Sequence, residues 1–194
     1  MARPLAFDRQ EMIQKAMYLF WEKGYAATSI QDLVKATGLN RSSLYNTFKS
    51  KEQLFLLSLD QYIQVNVQLT QDKVQEAKHE LDVIRIYLQT IMESCLADKE
   101  NKGCMIANCK AEMSNTQTEI KDWLVANQKF SMQFFSDLIQ CGQEKGIINK
   151  QSSPAEYAHF INSCLHGMRV VTKVQVNPDL VNATIDNILK VLQK

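Results

Sequence analysis

TSIQDLVKATGLNRSSLYNTFKSKE, residues Thr28–Glu52, is the stretch that decides the fold. Thr28 or Ser29 can cap a helix whose apolar positions Ile30, Leu33 and Val34 are spaced i, i+3, i+4. Ala36 is small enough for a second helix to cross closely. Gly38 follows Thr37 where the chain must turn, and glycine tolerates the positive φ that a helix end favours. Asn40 then caps a second short helix, and Ser50 caps a third segment with Gln53 completing a capping box. Two short helices around a tight turn form a helix-turn-helix, which lays its second helix in the major groove of DNA.

The second helix carries an uneven pair of faces. In Arg41–Phe48 only Leu44 and Phe48 are large aliphatic or phenyl groups, four apart, so they turn inward. Arg41, Ser42, Ser43, Tyr45, Asn46 and Thr47 are left outside. Arginine pairs with guanine edges, asparagine with adenine, and serine with either. From the residues alone, a merely solvated helix of an all-helical domain stays open as the alternative.

Thr28 through Leu54 resembles the DNA-binding signature of TetR-type transcriptional regulators. The match runs through Gly38, Leu44-Tyr45, Phe48, Lys51-Glu52 and Leu54, and back through Ile13, Ala16, Leu19, Phe20 and Gly24-Tyr25. It covers roughly residues 8–57. The resemblance implies a repressor that binds a palindromic operator as a homodimer and is released by a small-molecule effector. Outward placement on and around the second helix predicts base contacts from Arg41, Ser42 and Ser43, with Asn46 and Thr47 on the same face. Thr28, Tyr45 and Lys51 are expected at the phosphates. Thr47 departs from the signature, standing where many members carry His or Tyr.

Composition agrees with an all-α chain. Proline and glycine are sparse, with three and six residues in 194, and no window alternates. Residues 1–51 hold eight Lys/Arg against four acids, +4, and the remainder fourteen against seventeen, −3. The basic excess thus lies on the DNA-binding part. It is modest, which favours a module that works as a pair. No signal peptide and no apolar run of membrane length is read, so a cytoplasmic location is expected. The five cysteines then read as reduced thiols.

The rest of the chain parses into helices over Asp8–Lys23, Ser50 to about Ala77, His79–Ala97, Gly103–Ser114, Gln117–Lys145, Pro154 to about Lys173 and Asp179–Lys194. With the two short ones this makes about nine. The domains are expected as 1–50 for the helix-turn-helix and 51–194 for effector binding and dimerisation. The last two helices carry more apolar surface than a terminal hairpin needs, including Phe160–Val171 and Leu180–Leu192. In the resembled family such helices pair across a two-fold axis, presenting two reading helices to a palindrome.

Tyr87, Met105, Cys109, Trp123 and Phe130 belong to a set of soft and aromatic residues that suits an adaptable apolar pocket. The expected effector is a small apolar or electrophilic molecule. Cys104 is expected in the first turn of a short helix beside Lys99 and Lys102, an environment that favours the reactive thiolate. GCMIANCKAEMS also resembles the corresponding stretch of NemR-like members, which makes a redox- or electrophile-sensing repressor the alternative. Cys104 and Cys109, about 140° apart on a helix, cannot chelate from one face, so no metal is expected. No cofactor is expected either. The alternative of another class, a small helical enzyme, lacks a nucleophile motif, paired carboxylates and a phosphate loop.

Overall fold

The computed structural model describes residues 7–98, 100, 102–113, 119–174 and 177–194. Among these residues there are nine helices: α1 (Arg9–Lys23), α2 (Ile30–Thr37), α3 (Arg41–Phe48), α4 (Lys51–Val74), α5 (Glu80–Leu96), α6 (Met105–Met113), α7 (Glu119–Glu144), α8 (Pro154–Val174) and α9 (Pro178–Leu192). The only extended pairing among them is a single bridge between Ile148 and Gln193.

Local chemistry sets the first turns. Asp8 caps α1, accepting from the Gln10 N–H at 2.8 Å. Ser29, not Thr28, caps α2, and Asp32 reaches back to the Ser29 N–H at 2.9 Å to close a capping box. Gly38 ends α2 at φ 74°, ψ 2°, the left-handed conformation that a side chain disfavours. Asn40 caps α3. Between α3 and α4, Lys49 holds φ 64°, ψ −52° while the Ser50 N–H donates to the Phe48 carbonyl at 2.7 Å. This is a γ-turn of the strained, positive-φ kind, which reverses the chain within three residues.

Several expected boundaries shift. Ser50 caps α4 as expected, but the Gln53 amide donates to Glu119 on α7 instead of closing a box. α4 stops at Val74, short of Ala77, and His79 is the cap of α5. Pro178 opens α9 with Asn177 as its cap. Ser114 and Gln117, expected at the ends of two helices, lie outside the described residues.

Two apolar clusters form the interior. The first gathers Phe20, Leu33, Leu44, Phe48, Leu54 and Phe55 from α1–α4. Each such side chain contributes about 1.5–3 kcal/mol on burial. This cluster continues into Cys104, Met105 and Cys109 at α6 and Ile120 and Leu124 of α7, so it crosses residue 51. The second joins α5, α7, α8 and α9 through Ile84, Leu88, Phe135, Ile161 and Ile185.

Candidate functional site

The outer face of α3 is built by what its inner face buries. Leu44 is 0% exposed and Phe48 2%, which fixes the rotation of the helix. Arg41, Ser42, Tyr45 and Asn46 are then exposed, and Ser43 and Thr47 half-buried. The Arg41 guanidinium lies 5.8 Å from the Tyr45 ring centroid, one turn on. The face therefore presents a cation, an amide, hydroxyls and a phenol, and no acid. Its Thr47 hydroxyl is already engaged, donating to the Ser43 carbonyl at 2.8 Å.

Two flanking residues differ in placement. Lys51, in the first turn of α4, has its ammonium 4.4 Å from the Tyr25 ring centroid. Burial draws its pKa down, while Glu112 and Asp32 act in the opposite direction. Thr28 is 1% exposed, and its hydroxyl donates to the Gly24 carbonyl at 2.7 Å. In this arrangement Thr28 secures the turn before α2 and does not offer its hydroxyl outward. The sequence could not separate two adjacent hydroxyl residues competing for one cap.

A partly open cavity of about 380 Å³ lies between α4, α5, α6, α7 and α8. Tyr87 and Phe130 line it, as expected. Trp123, Met105, Cys104 and Cys109 do not. The Trp123 indole instead donates to Asp60 at 2.8 Å and packs on the first cluster. Met105 and Cys109 are core residues of that same cluster, each 2% exposed.

Cys104 does not occupy the expected position. It precedes α6, accepting the Asn108 N–H through its own carbonyl, and is 1% exposed. Lys102 turns away, donating to Glu100 and lying 5.0 Å from the Trp21 ring centroid. Lys99 lies outside the described residues. The redox alternative is therefore not favoured: the thiol is shielded from solvent. Burial also raises Cys95 to about 11 and Cys109 to about 12. All five cysteines are free. Among the described residues no cluster of three His, Cys, Asp or Glu could hold a metal, and no helix is long and apolar enough to cross a membrane.

The cavity also contains what sequence reasoning missed. Lys110 of α6 and His166 and Arg169 of α8 all line it. Lys110 Nζ is 3.1 Å from His166 Nε2 and also donates to Gln128. Burial, with Lys110 and Arg169 adding to it, pushes His166 down to about 4. It is thus neutral at pH 7 and accepts from the Lys110 ammonium. The available signal was Arg169 set between the apolar residues Met168 and Val170–Val171, one turn after His166.

The two regions are tied through α6. The Glu112 carboxylate accepts the Tyr25 N–H at 3.0 Å and the Ala26 N–H at 2.5 Å, holding the turn that leads into α2. The Trp21 indole donates to the Gly103 carbonyl at 2.7 Å, just before α6.

Known proteins share this fold. Residues 12–57 match the family described as bacterial regulatory proteins, tetR family, and residues 81–188 match the tetracyclin repressor-like C-terminal domain. The chain is 31% identical over 179 residues to the HTH-type transcriptional repressor ComR of Escherichia coli (strain K12), covering 87% of this chain and 80% of ComR. It is 27% identical over 169 residues to the HTH-type transcriptional repressor DhaR of Mycobacterium sp. (strain GP1), covering 87% and 84%. Its fold superposes with a TM-score of 0.83, at 26% identity, on a cysteine variant of the TetR family transcriptional regulator CifR complexed with 26-base-pair operator DNA, over 98% of this chain and 100% of CifR. With both regions matched and such a relative covered over most of its length, the chain belongs to the tetR family of bacterial regulatory proteins.

Proposed function

We propose that this protein is a dimeric transcriptional repressor that reads a palindromic operator through α3 and releases it when a small molecule fills the cavity beside α4. The observation that carries the reading is the acid-free outer face of α3, with Arg41, Ser42, Tyr45 and Asn46 exposed around a buried Leu44–Phe48 seam. Arg41, Ser42, Ser43 and Asn46 serve base edges; Tyr45 and Lys51 serve phosphates. The CifR complex with operator DNA and the repressor names of ComR and DhaR support the same role.

The dimer forms through α8 and α9. Val170, Val171, Val174 and Leu180 are 61%, 64%, 90% and 65% exposed, an apolar surface on the two helices farthest along the chain from α3. Pairing there leaves both copies of α3 free to meet successive major grooves. Residues 1–50 act as the reading domain and 51–194 as the sensing and pairing domain.

The test is selection of bound duplexes from a random-sequence pool, followed by mobility-shift titration and sedimentation of the free protein. A two-fold symmetric consensus bound by a species of twice the chain mass is the expected result. Failure to enrich any sequence, or a strict monomer bound tightly to a palindrome, would sink the reading.

A further inference from the structure

The cavity's wall is chemically one-sided. Its lining includes Lys110, His166 and Arg169 and contains no aspartate or glutamate. Arg169 Nε is buried and has no hydrogen-bond partner. No ion pair among the described residues involves Arg169 or Lys110. A buried cation left without a counter-charge is costly, so an anion that pairs with it is favoured there. His166, neutral, takes the Lys110 proton donor but supplies no negative charge.

The remaining wall sets what else such an anion could carry. α4 lines the cavity from Tyr62 to Val74, a rise of about 18 Å at helical spacing. Tyr62 and Tyr87 stand within electrostatic reach of Arg169. Burial raises both phenols above their ordinary value, so each remains a proton donor. Farther along α4 the lining carries Val67 and Val74 with Thr70 and Gln71 between them, and Val83 of α5 and Phe130 and Phe134 of α7 add apolar surface to the same cavity.

We infer that the cavity binds a carboxylate with an extended apolar body, its head on Arg169 and Lys110 and its tail along α4 toward Val74. A carboxylate matches the arginine fork in two parallel hydrogen bonds and supplies the charge the wall lacks. A bare phosphate would leave the valine end empty; an alcohol or amide would leave the two cations unneutralised. This inference rests on the cavity's being the effector site, and it replaces a purely apolar or electrophilic effector with an anionic one.

The experiment is calorimetric titration of the full-length protein, free of DNA, with straight-chain alkanoates from hexanoate to dodecanoate. Arylalkanoates form a second arm, separating aliphatic from aromatic tails. The matching alcohols and amides, and inorganic phosphate, are the controls. At least one carboxylate series should bind about tenfold or more tightly than its neutral partners. Arg169→Met should erase that preference without weakening alcohol binding, and Lys110→Met should reduce it. Without ligand, Arg169→Met should melt no lower than the parent, because a costly buried charge is gone. If that variant fails to fold, Arg169→Lys serves: it keeps the charge, loses the fork, and should cut the preference severalfold.

The inference is overturned if no carboxylate binds, if alcohols, amides or phosphate bind as tightly, or if Arg169→Met keeps the preference. A fluorescence-anisotropy arm with labelled operator duplex reads the effector role separately. Carboxylate binding with the predicted variant pattern but no DNA release would uphold the pocket chemistry and refute the cavity's control of DNA.

Discussion

Lys110 and Glu112 stand two residues apart on α6 and serve different ends of the molecule. The Lys110 ammonium meets His166 at 3.1 Å in the cavity, while the Glu112 carboxylate holds the Tyr25 and Ala26 amides of the turn before α2. Residues at this spacing point to different sides of a helix. One short helix thus contacts both the cavity and the turn that leads into α2.

Glu112→Ala removes two charge-assisted acceptors from partly exposed amides, a loss of about 1–2 kcal/mol. The melting temperature should drop by about 2–4 °C per kcal/mol. Ligand affinity, measured calorimetrically, should stay within about twofold because Glu112 does not line the cavity. Operator release by ligand should become weaker in an anisotropy titration. Unaltered release would place the coupling elsewhere.

Gly38→Ala forces a side chain into φ 74° where no neighbouring atom lies within 4 Å. The penalty is then conformational alone, about 1–2 kcal/mol. Thermal unfolding should register it as a fall of about 2–4 °C per kcal/mol, with lower operator affinity because α3 loses its fixed angle to α2. A neutral result would mean that the turn relaxes without cost.

Lys51→Met should weaken binding evenly across operator sequences and lower the salt slope of log K by about 1. The Lys51 ammonium sits at the start of α4 against Tyr25, on the module that carries α3. An unchanged slope would remove Lys51 from the phosphate set.

His166 gives a pH signature. Its folded-state pKa is about 4 against 6.5 for the unfolded residue. Between those values the unfolded chain binds the extra proton, so this contribution to stability is complete above about pH 6.5 and lost as pH falls toward 4. Lys110 and Arg169 face the same ring and oppose its protonation. His166→Gln should flatten the fall in melting temperature across that window relative to the parent. Parallel curves for the two proteins would contradict the buried, neutral imidazole.

The reading helix was legible because its determinants are local. Asn40, Gly38 and the Leu44–Phe48 pair act within a few residues of where they stand. Thr28 misled because Ser29 is an equally good cap one residue later, and only the returning Gly24 carbonyl decides between them. Trp123 misled because nothing in α7 reveals that Asp60 of α4 will face its indole. Cys104 sits beside lysines in the chain, yet folding turns Lys102 toward Glu100 and the Trp21 ring and closes the core over the thiol. The cation group was invisible for the same reason: Lys110 and His166 are 56 residues apart and meet only when α6 packs on α8.

The most direct test of the account is a base-by-base titration of the selected operator with the parent protein and Arg41→Ala. Every base pair of the duplex is altered in turn and binding is read by anisotropy at fixed salt. Arg41→Ala should lose about 1–3 kcal/mol on the intact site and stop discriminating at one position in each half-site, the two positions related by the dyad. An Arg41→Ala protein that keeps the parent's preference at every position would contradict α3 as the reading helix.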